Sequence, residues 1–359
     1  VEPAQITLAT AGEDQKFSCG FNRTNLTGNT PVEGTGIWTI VSGTGGVITE
    51  PNNAQSYFTG TAGSYTLRWT IANQTNTCTT SDEMTISFTA DCSTLDFDGV
   101  DDHITMGDNY NLNSGNFTIE AWVKLNSING QRTIVSKRDS QNLSAGGYDL
   151  SINSGAPTFK WGNSTVTSSY KLTTQRWYHV AVIYTDGQAK LYVDGIKVGN
   201  GVAANPAATT SPFLIGAIFR GNKPENPVNY FHGWIEEVRI WKTALQEGQL
   251  RFMMNQRLKV DVSPVKGTVL PLVVPGDLDY SNLLGYYQLI GNELANGFTP
   301  DKATTKVAGQ LKNIETTQEN SAPLPYISKA VGQWRNKETW QRPDVWDAPN
   351  SLGINGEPI

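Results

Sequence analysis

A strict alternation of apolar and polar side chains constrains the fold of this chain more than any other feature. In the run FTIEAWVKL (Phe117–Leu125) every second residue is apolar, with Thr, Glu, Trp and Lys between them. A period of two is typical of a β-strand with one buried face. In the run WYHVAVIYT (Trp177–Thr185), Tyr178, Val180, Val182 and Tyr184 share one face, and two Asp-Gly pairs that follow, at 186–187 and 194–195, predict tight hairpins. The pattern therefore predicts antiparallel β-sheet.

The composition agrees with an all-β protein and excludes several function classes. Of the 359 residues, 38% are hydrophobic, 17% are charged and 35 are glycine, which suits β-sandwiches better than a helical or α/β enzyme. The length fits two or three domains of ~100–200 residues. The formal net charge of −6 comes without a basic stripe, so we expect no nucleic-acid partner. No apolar run reaches the ~18 residues of a membrane span.

The cysteines and the first residue favour an exported segment of a longer chain. Cys19 and Cys78 could close a loop of about sixty residues, and such a bridge could contribute on the order of 4 kcal/mol. A disulfide requires an oxidising compartment, so we expect export. Cys92 is then the odd cysteine, and three cysteines without C-x-x-C spacing argue against a metal site. Val1 is not an initiator Met, which indicates a mature or excised segment.

The first ninety residues predict a sandwich of short strands. Gly, Asn, Pro and Ser cluster between the strands, at the spacing expected of an immunoglobulin-like domain. We expect Trp38 and Trp69 to fill its core. The candidate strands are residues 6–8, 17–21, 36–41, 57–58, 64–71 and 83–88.

Six sequence marks follow one another over roughly the middle half of the chain. They are LDFDGVDDHI (95–104), FTIEAWVK (117–124), IVSKRD (134–139), WYHVAV (177–182), LYVDG (191–195) and FHGWIEEVRIWKTAL (231–245). In this order they resemble the concanavalin A-like, laminin-G-type jelly roll of lectins, pentraxins and many bacterial surface proteins. The resemblance implies an all-β sandwich of two stacked sheets. It does not fix a function, because such sandwiches include lectins, enzymes and spacers.

The chain divides into three predicted segments. Residues 1–91 resemble the PKD- or immunoglobulin-like repeats of large bacterial surface proteins, which implies a spacer domain and a Cys19–Cys78 disulfide. Residues 92–322 form the predicted jelly roll, with a short helix within 243–258 and an edge strand at the start of 282–297. Residues 323–359 carry Trp334, Trp340 and Trp346 at six-residue intervals. They either begin a further module or cap an exposed apolar edge.

The sequence predicts no catalytic site. Jelly-roll glucanases carry a Glu-x-Asp-x-x-Glu run, which does not occur here, and glycosidases need two facing carboxylates. Glu236 and Glu237 are adjacent, so on a regular strand their side chains point to opposite faces. Glu120 lies opposite the apolar face, as a structural or rim residue would. No Gly-x-Ser-x-Gly elbow accompanies the three histidines.

A calcium site is the more credible centre. Asp98, Asp101 and Asp102 lie together in FDGVDDH, and oxygen donors on a turn suit Ca²⁺. The jelly-roll resemblance implies a structural Ca²⁺ between this strand and the later Glu-Val-Arg-Ile strand, with Asp98, Asp101, Glu236 and Glu237 as candidate ligands. The alternative is that these carboxylates cap turns and pair with Arg239.

Candidate ligand-binding residues are aromatic or cationic and lie near Gly- or Asn-rich loops. Lectins stack sugar rings on exposed aromatic side chains and bind hydroxyls with polar ones, usually on loops. Each aromatic could equally be buried between the two sheets. The candidates are Tyr148, Trp161, Tyr170, Phe219, Arg220 and Tyr230.

These features together suggest a non-catalytic segment of a secreted protein on the bacterial outer surface. The resemblance implies a giant adhesin of the kind that gliding bacteria export by the type IX pathway, with a glycan or surface polymer as ligand. Other domains of the same polypeptide would be its partners. Two alternatives are a carbohydrate-binding module of a secreted polysaccharide-degrading enzyme and a structural stalk that binds nothing.

Overall fold

The computed structural model divides the chain into two compact units, Val1–Cys92 (unit 1) and Ser93–Ile359 (unit 2). Both are built from β-strands, and Glu247–Met253 forms a short α-helix, α1. The all-β prediction is therefore confirmed. The structure describes residues 6–17, 23–61, 63–75, 77–88, 94–142, 146–268, 272–290, 297–314, 317–318, 321–334 and 336–341.

Unit 1 contains two β-sheets that enclose one apolar core. The strand orders are β1-β7-β6-β3 and β2-β5-β4, and all pairs are antiparallel except β1 with β7. Residues 6–8, a predicted strand, are not part of either sheet. The strands are β1 (Gln15–Phe17), β2 (Arg23–Asn25), β3 (Thr35–Ser42), β4 (Val47–Ile48), β5 (Tyr57–Thr59), β6 (Gly63–Ala72) and β7 (Thr79–Phe88).

Two tryptophans fill the core of unit 1, as the sequence predicts. The rings of Trp38 and Trp69 lie 5.1 Å apart, and both side chains are buried. Each indole N–H finds a backbone acceptor, Ala54 O for Trp38 and Asn29 O for Trp69, both at 3.1 Å. A buried indole requires such an acceptor, so these loops are fixed to the core.

The predicted disulfide involves residues that the structure does not describe. Cys78 is exposed. Cys19 and Cys92 both lie outside the described residues, so the Cys19–Cys78 bridge stays a prediction.

Unit 2 is a sandwich of two eight-stranded sheets. The first sheet has the order β17-β16-β15-β10-β19-β8-β23, with β20 also paired to β19, and the second has the order β14-β13-β12-β11-β18-β9-β22-β21. The strands are β8 (Thr94–Asp98), β9 (His103–Thr105), β10 (Phe117–Leu125), β11 (Gln131–Lys137), β12 (Tyr148–Asn153), β13 (Ala156–Trp161), β14 (Ser164–Thr167), β15 (Trp177–Thr185), β16 (Gln188–Val193), β17 (Ile196–Val202), β18 (Leu214–Ile215), β19 (His232–Trp241), β20 (Leu283–Tyr287), β21 (Phe298–Thr299), β22 (Gly309–Lys312) and β23 (Thr317–Gln318).

The main core lies between these two sheets. The alternating apolar residues of β10 and β15 face it, as their period of two predicts. Phe117 stacks on Tyr184 at 4.8 Å between ring centroids, and Leu150 and Phe159 of the second sheet belong to the same cluster.

A second core covers the outer side of the first sheet, which the sequence does not predict. All nine residues of β10 are buried, so the expectation of a half-buried strand is wrong. After β19 the chain returns across this side, where Leu250 and Met253 of α1 pack with Trp241 and Tyr286. The short helix within 243–258 is confirmed, but it covers the sheet face and not its edge.

Charged side chains lie inside this second layer. Glu120 is fully buried, and its carboxylate accepts hydrogen bonds from Trp241 Nε1 at 2.9 Å and lies 3.0 Å from His179 Nε2. Arg239 Nη1 lies 3.6 Å from the same carboxylate, and Arg239 Nη2 lies 2.6 Å from Glu237. Arg239 also donates to the carbonyl of Met253, the last residue of α1, at 3.3 Å. Glu120 is therefore structural.

The C-terminal residues fold back on themselves within unit 2. Residues 328 and 340 form a β-bridge, and Trp340 Nε1 donates to Trp334 O at 2.8 Å. Trp340 is buried, whereas the side chain of Trp334 is 55% exposed. Trp346 lies outside the described residues, so neither interpretation of this segment is decided.

Replacing Arg239 by alanine will destabilise unit 2 strongly. The change leaves Glu120 and Glu237 buried without their cation, and breaking a buried pair typically costs about 3–5 kcal/mol. The Lys306–Asp261 pair, with both side chains more than half exposed, is the control, and Lys306→Ala should cost less than about 1 kcal/mol. Amide hydrogen exchange in β10 and β19, followed at increasing urea concentrations, measures the free energy of unfolding of both variants and of the wild type. Similar losses in the two variants would contradict this structural role.

Candidate functional site

Three aspartates cluster in the turn between β8 and β9. The ligand atoms of Asp98, Asp101 and Asp102 all lie within 4.8 Å of one another. Asp98 Oδ1 accepts the N–H of Val100 at 2.7 Å, and Asp102 Oδ2 accepts the N–H of Asp98 at 2.9 Å. These bonds fold residues 98–102 into a compact turn, which we call the acidic loop.

The acidic loop concentrates negative charge. The pKa of Asp102 is raised to about 6, chiefly by burial, although the Asp98 N–H lowers it and the negative charges of Asp98 and Asp101 raise it. A bound cation would offset this repulsion. Carboxylate oxygens on a tight turn are the donors that Ca²⁺ prefers, so the residues present fit that ion.

Glu236 and Glu237 do not join the acidic loop. The partner of Asp98 on β19 is His232, and Glu236 lies four residues further along the strand. At ~3.3 Å per residue this separates the two positions by about 13 Å. Both glutamates are fully buried and paired with arginines. The prediction that they share an ion with Asp98 is therefore wrong.

A β-bulge explains why the two adjacent glutamates point to the same side. Between β10 and β19 the register passes from Glu120 opposite Arg239 to Trp122 opposite Glu236, so two residues of β19 face Ala121. Glu237 takes a left-handed conformation with φ of 54°. Arg257 consequently pairs with both carboxylates, at 3.0 Å to Glu236 and 3.6 Å to Glu237. The expectation of opposite faces is wrong here.

The burial of Glu236 makes the stability of unit 2 depend on pH. Burial raises its pKa to about 7 from an ordinary 4.5, although Arg257 and the Ala322 N–H lower it. The folded state therefore holds this proton more tightly, and the contribution of Glu236 to stability falls as pH rises from 4.5 to 7.

Glu236→Gln will remove this part of the pH dependence. Between pH 4.5 and 7 the variant should lose less stability than the wild type, by up to about 3 kcal/mol. Urea unfolding at several pH values measures how steeply the free energy of unfolding changes with pH, which we call the slope. Asp186→Asn, at an exposed turn position, should keep the wild-type slope. An unchanged slope in Glu236→Gln would contradict the assignment.

A second loop leads from β18 to Tyr230. After β18 the chain forms a hairpin in which Ile218 and Val228 exchange backbone hydrogen bonds, both of 2.9 Å. Asp139 Oδ1 accepts the N–H of Gly221 at 3.0 Å, and Thr133 N–H donates to Asn229 O at 3.0 Å. The hairpin (218–228) is thus anchored along β11, and its tip, residues 221–226, is exposed.

Three of the six predicted ligand residues lie in this hairpin or just after it. Phe219, Arg220 and Tyr230 are each partly exposed. The ring of Tyr230 lies 6.1 Å from that of His103. The pKa of Tyr230 is raised by burial and then by the negative charges of Asp101 and Asp98. We call residues 98–102, 218–228 and Tyr230 the loop surface.

The partly exposed Arg220 has one side-chain nitrogen without an acceptor in the described part of the chain. Its Nε atom is buried and has no hydrogen-bond acceptor among the residues that the structure describes. A guanidinium of this kind can bind a hydroxyl or carboxylate of a ligand.

Two other predicted ligand residues belong to the core. Tyr148 and Trp161 are each 1% exposed. Tyr148 donates to Tyr110 O at 2.8 Å, and Trp161 donates to Ala204 O at 3.1 Å. Their assignment as ligand residues is wrong, because alternation in β12 and β13 turns these rings inward. Tyr170 is partly exposed and packs against Tyr178, with 6.4 Å between ring centroids.

Sequence reasoning missed the polar outer side of the second sheet. Asp149 and Ser151 of β12 alternate with the inward aromatic and aliphatic residues and are themselves buried. Asp149 lies 3.4 Å from Arg138, and burial raises its pKa in spite of that cation. Thr133 Oγ1 has no hydrogen-bond partner in the described part of the chain. The alternation in YDLSIN (Tyr148–Asn153) was the available signal.

The comparison with protein families agrees with this architecture. Residues 98–251 match the Laminin_G_3 model, described as the concanavalin A-like lectin/glucanases superfamily. The central sandwich is thus a concanavalin A-like, laminin-G-type jelly roll. The adhesion G-protein coupled receptor V1 of Danio rerio is 24% identical over 165 residues, which are 42% of this chain and 2% of the receptor. The chain therefore spans a small fraction of that relative.

Solved structures resemble the chain at low identity. A Bacteroides ovatus protein named as a candidate carbohydrate-binding protein covers 89% of this chain and 99% of its own, with 18% identity and a TM-score of 0.46. The CBM40 module of a Ruminococcus gnavus sialidase, bound to α2,3-sialyllactose, covers 39% of this chain and 83% of its own, with 17% identity and a TM-score of 0.34. Among the described residues, no helix has the length and apolarity needed to cross a membrane.

Proposed function

We propose that unit 2 is a non-catalytic glycan-binding domain whose ligand contacts the loop surface. The observation that carries the proposal is the partly exposed Tyr230, whose ring lies 6.1 Å from that of His103 next to the acidic loop, with Phe219 and Arg220 partly exposed in the preceding hairpin. A sugar ring has an apolar face that stacks on an aromatic side chain and hydroxyls that bond to carboxylates and guanidinium groups. These side chains are partly exposed, so a polysaccharide can reach them.

The buried carboxylates support a binding role without hydrolysis. A glycosidase places two carboxyl groups about 5–9.5 Å apart across a sugar-binding cleft. Glu120, Glu236 and Glu237 are instead enclosed under the second core, where Arg239 and Arg257 pair with them. We therefore assign them no catalytic step.

Tyr230→Ala and Arg220→Ala will each weaken glycan binding at least about tenfold, or about 1.4 kcal/mol. The first change removes the stacking surface and the second removes the guanidinium donor. An array of polysaccharides identifies the ligand, and isothermal titration measures the affinity. Lys197→Ala, at an exposed position of β17 in the first sheet, is the control and should bind normally. If the wild type and the three variants bind the glycan with equal affinity, the loop surface is not the binding site.

We also propose that the acidic loop holds a structural Ca²⁺. The three clustered carboxylates support this, because their oxygen atoms lie within 4.8 Å of one another. When bound, the ion supplies positive charge that fixes the turn. Asp98, Asp101 and Asp102 would hold it.

Calcium will stabilise unit 2, and chelation will reverse the effect. At a hundredfold excess over its dissociation constant the ion contributes about 2.7 kcal/mol to the free energy of unfolding. Asp101→Asn, which removes one exposed carboxylate of the cluster, should abolish most of the gain. Asp186→Asn leaves it unchanged. Thermal unfolding in Ca²⁺ or in EDTA measures the difference, and identical curves would remove calcium from the proposal.

We place this domain in a longer, secreted adhesin of a bacterial surface. The resemblance of residues 1–91 to PKD- or immunoglobulin-like spacers supports this context, as do the jelly-roll domain (92–322) and the C-terminal segment (323–359). Type IX export, gliding motility and the Cys19–Cys78 disulfide belong to the same proposal. Mass spectrometry without reduction tests the disulfide.

Two other functions make different predictions. A carbohydrate-binding module of a polysaccharide-degrading enzyme would bind one defined polysaccharide and have a hydrolase domain in the same polypeptide. A structural stalk would give flat titrations against glycans and cell surfaces. The adhesin requires binding to a surface polymer and further repeats in the full polypeptide.

A further inference from the structure

A group of polar side chains continues the loop surface onto the outer side of the second sheet. Strand β22 pairs with β9, and the register places Lys312 opposite His103 and Gln310 opposite Thr105. Paired residues of antiparallel strands point to the same side, and Ile104, between His103 and Thr105 in β9, belongs to the main core. The four polar side chains therefore lie on the outer side. We call His103, Thr105, Gln310 and Lys312 the polar strip.

His103 joins the polar strip to Tyr230. Strand β9 lies between β18 and β22 in the second sheet. The Phe231 N–H donates to Gly216 O at 2.7 Å, one residue beyond β18, which places Tyr230 on the β18 side of His103. Lys312 lies on the other side of it. With 6.1 Å between the rings of Tyr230 and His103 and about 5 Å between Cβ atoms of paired residues, the three side chains form a row about 11 Å long.

The polar strip is open to a ligand and holds unused polar groups. Gln310 is exposed, and Thr105 and Lys312 are partly exposed. The side chains of Gln310 and Lys312 make no hydrogen bond or ion pair with any residue that the structure describes. An amide offers both donors and an acceptor, and an ammonium group offers three donors. The strip can therefore bind sugar hydroxyls without first breaking a contact inside the protein.

The strand that carries half of the polar strip lies outside the part of the chain that matches the family model. That match covers residues 98–251, whereas Gln310 and Lys312 belong to β22. His103 and Thr105 belong to the matched part. A subsite that includes β22 would therefore give this chain a specificity that the matched residues do not encode.

We propose that the polar strip is a further subsite of the glycan site, so that the ligand is an internal stretch of a polysaccharide chain. This inference rests on the proposed function of the loop surface. The row from Tyr230 to Lys312 is longer than one sugar ring, so a single terminal sugar stacked on Tyr230 would leave Gln310 and Lys312 unused. In a longer ligand, these two side chains bind the hydroxyls of the sugar units that follow.

Oligosaccharides of two lengths test the proposal. The probes are cellulose, xylan, mannan, laminarin, alginate and polygalacturonate, each as its disaccharide and its hexasaccharide. The wild type should bind at least one hexasaccharide at least about tenfold more tightly than the matching disaccharide. The double variant Gln310→Ala/Lys312→Ala should bind that hexasaccharide at least about tenfold more weakly than the wild type. Its affinity for the disaccharide should not change, because a short ligand does not reach β22.

A matched double variant is the control. Gln188 and Lys197 are exposed residues of the same two types, on β16 and β17 of the first sheet. Gln188→Ala/Lys197→Ala should bind both probes like the wild type. Isothermal titration measures each affinity, and thermal unfolding shows whether both double variants keep their fold. An equal loss for the disaccharide and the hexasaccharide in Gln310→Ala/Lys312→Ala would indicate a disturbed site and would contradict the subsite.

Two outcomes separate the failure of the subsite from the failure of the proposed function. If the double variant binds the hexasaccharide normally while Tyr230→Ala loses it, the polar strip is not a subsite, but the loop surface remains the glycan site. If the wild type binds none of the probes, both proposals fail. Equal wild-type affinities for the disaccharide and the hexasaccharide would make the ligand a terminal sugar and would also overturn the subsite.

Discussion

The buried contact of Glu120 with Arg239 and His179 is the interaction on which the layers of unit 2 depend. Charged groups on the outer side of a sheet normally remain in water, because burying them unpaired is very costly. Here the returning chain supplies compensating groups, including the carbonyl of Met253 at the end of α1. The apolar residues around them can then form a second core over the sheet.

That second core determines where a ligand can be bound. It occupies the outer side of the first sheet, so Glu236 and Glu237 become structural ion-pair partners and not ligands of an ion. The proposed ligand surface lies instead in loops, namely the acidic loop, the hairpin that carries Phe219 and Arg220, and Tyr230. Sandwiches commonly carry binding residues on loops that a rigid scaffold positions.

Local patterns predicted the elements that follow a simple period. The alternation in β10 and β15 and the Asp-Gly hairpins identified antiparallel sheets, and the ordered marks identified the jelly roll. The same patterns could not reveal the bulge at Glu237, because an extra residue in a strand depends on its partner across the sheet. Tyr148 and Tyr230 are chemically alike, and only their positions relative to the core separate a buried ring from a partly exposed one.

The sequence by itself determined an all-β chain, the faces of its main strands and the acidic composition of the 98–102 turn, because each depends on neighbouring residues. Tertiary structure alone decided which carboxylates are buried, which aromatic residues stay partly exposed and which segment covers Trp122 and Trp177. Those outcomes depend on contacts between residues far apart in the chain, such as Glu120 with Arg239 and Ala322 with Glu236. A local hydrophobic period does not predict which distant residues come into contact.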